Sequence, residues 1–150
     1  MLLRMILKNL ATLGFIGYLP VAPGTFGTAA AAISLAVLRP SLSVHLFFLI
    51  AVIVIGTIAS HRAEEILNEK DSSHIVIDEF AGYALSVLSL PLTLPYVIAA
   101  FLLFRFFDIL KPPPIRWIEK VLPGGAGIMA DDLMAAIYVN AALHVWKVLG

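Results

Sequence analysis

The chain has 150 residues, of which 61% are apolar and only 13% charged, and its formal net charge at pH 7 is zero. Soluble domains average about 45–50% apolar and about 25% charged residues, so this composition favours a single integral-membrane domain over residues 1–150. The zero net charge argues against a nucleic-acid partner, and the lack of cysteine excludes disulfides, thiolate metal sites and a cysteine nucleophile.

The first twenty residues form an apolar segment in which Arg4 and Lys8 stand four residues apart. The segment has no clear small-residue cleavage site of the kind that ends a signal peptide. We therefore predict a retained helix that lies at the membrane interface.

Five apolar runs follow, separated by polar or proline-containing stretches. They cover residues 26–38, 42–60, 80–90, 96–107 and 131–149. About 20 apolar residues cross a bilayer, so the shorter runs need tilt, additional helical residues or a locally thin membrane. The sequence thus predicts an all-α fold, a compact integral-membrane bundle of about five membrane helices plus the N-terminal interfacial helix.

The charged residues of the polar stretches are distributed unequally between the two sides of the predicted membrane bundle. If each run crosses once, residues 20–25, 61–79 and 108–130 share one side, and 39–41 and 91–95 lie on the other. All ten acidic residues and eight of the ten basic residues then lie on, or at the edge of, the first side. Basic residues near helix ends mark the cytoplasmic side, so we predict a polar cytoplasmic face that works at the lipid headgroup level.

The central polar stretch, residues 71–82 (DSSHIVIDEFAG), carries Asp71, Asp78 and Glu79 at the edge of an apolar run. A carboxylate in such a place is costly to keep charged without a partner, and a hard divalent cation is a suitable one. Acids at a helix start also complement the helix dipole, but this explains one carboxylate better than three. We interpret Asp78 and Glu79, with Asp71 in support, as metal-binding or catalytic candidates.

A second polar stretch, residues 104–114 (FRFFDILKPPP), contains Arg105, Asp108 and Lys111. The simplest interpretation is a salt bridge between Arg105 and Asp108, which are three residues apart on a helix, with Lys111 reaching the interface. An arginine and a lysine beside an acid also suit a phosphate next to a metal.

A third stretch, residues 126–135 (AGIMADDLMA), places Asp131 and Asp132 at the predicted start of the last helix. Capping that helix needs only one of them. Because adjacent helical residues point about 100° apart, one carboxylate can face a metal while the other caps.

A fourth stretch, Gly24-Thr25-Phe26-Gly27-Thr28, combines small residues ahead of a helix. Such a segment can present backbone N–H groups to an anion, although the GK[ST] ending of a Walker A loop is missing. A plain turn followed by a helix cap explains it equally well.

Together the four blocks LPVAPGTFGT, IVIDEFAG, FRFFDILKPPPI and GIMADD resemble the phosphatidylglycerophosphatase A family. They occur in that family's order and span roughly residues 19–136. Two departures are Ser72, where the family often has proline, and Ala136, where it often has glycine. Neither departure removes a reactive group.

The resemblance implies a Mg²⁺-dependent lipid phosphatase that converts phosphatidylglycerophosphate to phosphatidylglycerol in the bacterial inner membrane, as a multi-pass protein whose site faces the cytoplasm. It implies a metal site built from Asp78, Glu79, Asp131 and Asp132, with Asp71 and Asp108 as weaker candidates. It implies a phosphate site built from Arg105, Lys111, Gly24, Thr25, Gly27 and Thr28. The implied catalytic residues are Asp78, Glu79, Arg105, Lys111 and Asp131.

Three alternatives stay open at this point. One is another membrane phosphotransferase, although the repeated-aspartate pattern of the CDP-alcohol phosphotransferases is missing. The second is a small membrane transporter or channel subunit whose carboxylates bind ions. The third is a structural membrane protein whose acids only cap helices. The sequence leaves open the number of metal ions, the oligomeric state, and whether water attacks directly or a phospho-aspartyl intermediate forms.

Overall fold

A computed structural model describes the backbone of all 150 residues and every side chain except that of Glu119. Over this described chain the structure has seven α-helices, one 3₁₀ turn and no strand. The helices are α1 Leu2–Ala11, α2 Pro23–Leu38, α3 Leu42–Leu67, α4 Ile77–Ser86, α5 Leu94–Leu110, α6 Ile115–Val121 and α7 Gly125–Leu149, and the 3₁₀ turn is Ile16–Tyr18. The predicted all-α class is confirmed.

Helix α7 begins at Gly125, six residues before the predicted start at Asp131. In the sequence the glycines before Asp131 belong to the polar stretch 108–130, whereas in the structure Gly125 and Gly127 are buried helical residues. A Cβ on Gly125 would lie 2.6 Å from the backbone nitrogen of His61 in α3. Glycine here therefore permits close packing of α7 on α3, a use of small residues that is common between membrane helices.

Helix α4 lies at the centre of the bundle and contacts α2, α3, α5 and α7. It has ten residues, so it is about 15 Å long, half of a hydrocarbon core about 30 Å thick. The predicted run extended to residue 90, but the helix ends at Ser86 and residues 87–90 form turns. Its central position places both ends of α4 against several other helices.

The packing of α4 against α5 and α7 depends on Gly82. A Cβ at this position would lie 2.5 Å from Cζ of Phe104 and 3.2 Å from the carbonyl oxygen of Asp132. Phe104 is fully buried. Because Gly82 has no side chain, the polar residues of α4, α5 and α7 can approach one another at the end of the bundle where α4 begins.

The backbone that enters α4 is held from two sides. The N–H of Val76 donates a hydrogen bond to the carbonyl oxygen of Ala11, at the end of α1, over 2.9 Å. On the other side Gly27 of α2 packs so closely that a Cβ there would lie 2.9 Å from the Val76 carbonyl oxygen. These contacts fix where the first turn of α4 points.

At the other end of α4, Asn140 of α7 satisfies the terminal carbonyl groups. Its Nδ2 lies 3.2, 3.1 and 3.0 Å from the carbonyl oxygens of Leu85, Ser86 and Leu88. The last carbonyls of a helix have no intrahelical donor, and leaving them unpaired inside an apolar bundle is costly. Asn140 therefore lets a short helix end inside the bundle.

Two helices, α3 and α7, are long and apolar enough to cross a membrane by length and composition, and α2 is a shorter apolar helix. Large apolar side chains are exposed at helical spacing along the outer faces of α3 and α5: Phe47, Ile50, Val54 and Ile58 on α3, and Ile98, Leu102, Phe106 and Ile109 on α5. Extended exposed apolar surfaces of this kind are typical of contact with lipid or a partner, and rare on soluble monomers.

We expect Asn140→Leu to destabilise the bundle by about 1–3 kcal/mol, because it leaves buried carbonyl groups at the end of α4 without a donor. The measurement is the apparent Tm of the purified protein in detergent. Ile137→Leu, at an exposed position of the same helix, is the control. An unchanged Tm for Asn140→Leu would show that these carbonyl groups find other partners.

Candidate active site

Polar residues from four separate stretches of the chain meet in one cleft of 290 Å³. The cleft lies at the first turns of α2 and α4, the end of α5 and the first half of α7. The residues predicted from the sequence as metal or phosphate ligands that line it are Gly24, Asp71, Asp78, Glu79, Arg105, Asp108, Lys111, Asp131 and Asp132. All the charged candidates from the sequence are therefore brought together, although they are up to 61 positions apart.

Three carboxyl groups form a tight cluster within this cleft. Asp78, Glu79 and Asp132 each place one oxygen within 4.8 Å of the others. Asp78 is 9% exposed and Asp132 is 2% exposed. One oxygen of each residue, Oδ1, Oε2 and Oδ2 respectively, is buried without a hydrogen-bond partner among the described atoms.

The chemistry of this cluster fits a hard divalent cation. Buried, unpartnered carboxylates are costly, and mutual repulsion between three of them adds to that cost. Carboxylate oxygens are the protein ligands that Mg²⁺ prefers, and Mg²⁺ commonly keeps several water ligands besides. The three carboxyl groups, supplied by α4 and α7, thus match the donor set of such an ion.

The positions of Asp131 and Asp132 contradict the capping interpretation. They are the seventh and eighth residues of α7, well inside the helix rather than at its start. Helix capping therefore does not explain either carboxylate, and both are buried at the cleft.

Asp131 differs from its neighbour in its partners. Its Oδ2 accepts a hydrogen bond from Nζ of Lys111 over 2.6 Å, and its Oδ1 accepts one from the backbone N–H of Asp132 over 3.0 Å. Of the four predicted metal ligands, Asp78, Glu79 and Asp132 form the cluster, whereas Asp131 forms an ion pair with Lys111. A role of Asp131 in metal binding stays a prediction.

Arg105 is held on the opposite wall by two acids. Its Nη1 forms an ion pair with Asp108 and lies 3.9 Å from Oε1 of Glu79. The predicted salt bridge with Asp108 is therefore present. The Nε atom of Arg105 is buried without a partner among the described atoms, so the side chain keeps a donor for an anion.

The segment around Gly24 brings α2 close to these side chains. A Cβ on Gly24 would lie 2.9 Å from Cδ of Glu79 and 3.4 Å from Nη1 of Arg105. The hydroxyl of fully buried Thr28 donates to the carbonyl oxygen of Gly24 over 2.9 Å. Gly24 lines the cleft, whereas Thr25, Gly27 and Thr28 are outside its lining. Phosphate binding by these three residues stays a prediction.

The rim of the cleft is formed by the loop before α4. Asp71 is exposed, has a left-handed backbone conformation with φ of 50°, and donates its backbone N–H to Oε1 of Glu64 over 2.7 Å. Ser72 and Ser73 also line the cleft, and the sequence analysis did not single them out as site residues. Their position directly after Asp71 was the available signal.

An all-helical bundle with a buried carboxylate cluster beside an arginine and a lysine has the features of an enzyme that handles phosphate groups. Comparison with known proteins agrees with this class. The family model described as phosphatidylglycerophosphatase A matches residues 9–147. The chain belongs to the phosphatidylglycerophosphatase A family, a family of phosphatases, and the resemblance inferred from its four motifs is confirmed.

Individual relatives cover most of the chain. Phosphatidylglycerophosphatase A of Haemophilus influenzae is 38% identical over 92% of this chain and 89% of its own length. The Escherichia coli K12 protein of the same name is 37% identical over 91% of this chain and 81% of its own length. A Bacteroides thetaiotaomicron protein, provisionally named a phosphatidylinositol-3-phosphatase, is 39% identical over 81% of each chain. No solved structure matches the chain.

We expect Gly24→Ala to lower phosphatase activity by about a hundredfold. The added methyl group must displace Glu79 and Arg105, and a displacement of about 1 Å in a catalytic site can reduce the rate by this factor. The measurement is kcat/KM in detergent, with helical content and Tm recorded on the same preparation. Phe26→Ala, two residues along α2 and half exposed, is the control. If Gly24→Ala keeps wild-type activity, the close approach of α2 is not required for the site.

Proposed function

We propose that this chain is a Mg²⁺-dependent phosphatase that hydrolyses phosphatidylglycerophosphate to phosphatidylglycerol and inorganic phosphate in bacterial phospholipid biosynthesis. Family membership and the names of two relatives support the substrate. The observation that carries the proposal is the arrangement of three unpartnered carboxylate oxygens in the cleft that also holds the unpartnered Nε of Arg105.

The proposed location is the bacterial inner membrane, with the cleft facing the cytoplasm. In this arrangement α2, α3, α4 with residues 87–90, α5 and α7 are the five crossings, and α1 lies at the interface. The exposed apolar faces of α3 and α5 support contact with membrane lipids. The concentration of basic residues at the cleft end supports the cytoplasmic orientation.

The residues proposed to hold Mg²⁺ are Asp78, Glu79 and Asp132, with Asp131, Asp71 and Asp108 as further candidates within the same cleft. When bound, the ion neutralises charge on the phosphoryl oxygens and makes a bound water more acidic. Glu79 would link the ion to Arg105, because its Oε1 lies 3.9 Å from Nη1 of that residue.

The cations of the cleft are proposed to hold the phosphate that is removed. Asp108 fixes one edge of the Arg105 guanidinium, which leaves Nε to donate to a phosphate oxygen. Asp131 orients the ammonium group of Lys111 from the other side. Attack by water on phosphorus forms one P–O bond and breaks the bond to the glycerol oxygen, which leaves with a proton.

A second substrate is suggested by the Bacteroides relative, whose provisional name refers to a phosphorylated inositol lipid. Both named lipids carry a phosphomonoester on a polyol that is joined to diacylglycerol by a phosphodiester. Phosphatidylinositol 3-phosphate is therefore the appropriate competitor substrate in any assay. Membership of a phosphatase family argues against the alternative of a transporter or channel subunit.

We expect the purified protein in detergent to release inorganic phosphate from phosphatidylglycerophosphate, to lose this activity in EDTA and to regain it when excess Mg²⁺ is added. The physical reason is that the clustered carboxylates repel an anionic substrate unless a divalent cation compensates their charge. Full activity in EDTA would contradict the metal requirement. Preference for phosphatidylinositol 3-phosphate would favour the second substrate.

We expect Asp78→Asn to lower kcat by at least about a hundredfold, since even residues that only orient metal ligands commonly contribute ten- to a hundredfold. A second readout is Mn²⁺ affinity measured by electron paramagnetic resonance, which should weaken in parallel. Glu65→Gln, the same type of change at an exposed residue of α3 outside the cleft, is the control. Wild-type Mn²⁺ affinity in Asp78→Asn would exclude Asp78 as a ligand.

A further inference from the structure

A second pocket of 440 Å³ adjoins the cleft. Asp71 and Asp131 line both spaces, so they form the wall between them. The far side of the second pocket is built from the end of α3, the loop after it, and the junction between α6 and α7. Asp71, Gly127, Ile128 and Asp131 from the sequence motifs line it, but the proposed reaction does not use the rest of this space.

Two lysines, Lys70 and Lys120, line this pocket. Both are exposed, and neither ammonium group has a hydrogen bond or ion pair with a described residue. The carboxyl groups nearby already have partners: Glu64 accepts the backbone N–H of Asp71, and Asp131 is paired with Lys111. The pocket lining thus carries three carboxyl groups, those of Glu64, Asp71 and Asp131, beside the two lysines, whose ammonium groups are the donors that an anion would contact.

The substrate of the proposed function carries two phosphates with different fates. The monoester is removed, whereas the diester remains and joins the glycerol headgroup to the diacylglycerol. If Arg105 and the carboxylate cluster hold the monoester, the diester lies one glycerol unit farther along the lipid. The adjoining pocket begins at the cleft wall and has room for a glycerol and a phosphate.

The surroundings of the pocket also suit a lipid. Val121 and Leu122 line it and are themselves largely exposed, and Trp117 is exposed one turn earlier on α6. Apolar side chains beside a lysine are typical of a membrane interface, where acyl chains enter the bilayer and phosphates meet cations.

We propose that this pocket, lined by Lys70 and Lys120, holds the diester phosphate of the substrate lipid. Lys120, next to the exposed apolar residues of α6, is the principal contact and Lys70 is the supporting one. The inference rests on the proposed function and adds a specificity site to it. The enzyme then distinguishes a lipid with two phosphates from one with a single phosphate by charge outside the catalytic cleft.

The test uses Lys120→Ala in the full-length protein, assayed with phosphatidylglycerophosphate in detergent. Two inhibitors probe the two spaces separately: a short-chain phosphatidylglycerol carries only the diester, and inorganic phosphate resembles only the monoester. We expect KM for the substrate and Ki for the short-chain lipid to rise roughly three- to tenfold, in line with loss of one exposed charge-assisted hydrogen bond. We expect kcat and Ki for inorganic phosphate to stay unchanged.

Matched variants separate this role from a general effect. Lys120→Arg should retain the wild-type constants because it keeps the positive charge, and Lys147→Ala, near the C-terminal end of α7, should change none of them. An unchanged KM and lipid Ki in Lys120→Ala, or an equal rise in the Ki for phosphate, would overturn the inference. A wild-type protein that releases no phosphate from phosphatidylglycerophosphate would instead overturn the proposed function.

Discussion

The structure depends on the cost of burying three neighbouring carboxyl groups. Each of them has one oxygen without a hydrogen-bond partner among the described atoms. Asp78, Glu79 and Asp132 come from two helices, and their oxygens lie within 4.8 Å of each other. A buried polar group without a hydrogen bond costs several kcal/mol by typical estimates, and a charged one costs more. The proposed divalent cation would offset this cost, because carboxylate oxygens are its preferred protein ligands.

The helices around the cluster are shaped by the need to bring these groups close. Gly82 lets α4 approach Phe104 and the backbone of α7, and Gly24 lets α2 approach Glu79 and Arg105. A short α4 follows from the same arrangement, because its start is fixed at the cleft while Asn140 ends it inside the bundle. The glycines and the asparagine thus support the site through the packing of its helices.

Much of the site could be predicted from the sequence, because charged residues in an apolar chain are few and their positions carry most of the information. The acids of α4 and α7 and the cations Arg105 and Lys111 were predictable in this way. The start of α7 was not, because Gly125 lies in the polar stretch before the apolar run, whereas in the structure it is a helical residue that packs against α3. The sequence also could not assign Asp131 to Lys111 and Asp132 to the cluster, since that depends on the rotation of α7 against α4 and α5.

The formal charges of the cleft suggest an order of events. Its lining carries six carboxyl groups, those of Asp71, Asp78, Glu79, Asp108, Asp131 and Asp132, and only two cations, Arg105 and Lys111. Both cations are already paired with acids. A phosphomonoester dianion would meet net repulsion there, so under the proposed mechanism Mg²⁺ would bind before the phosphate does. Lys70 and Lys120, which line the adjoining pocket together with Glu64, Asp71 and Asp131, are exposed cations that an approaching lipid phosphate can contact before it enters the cleft.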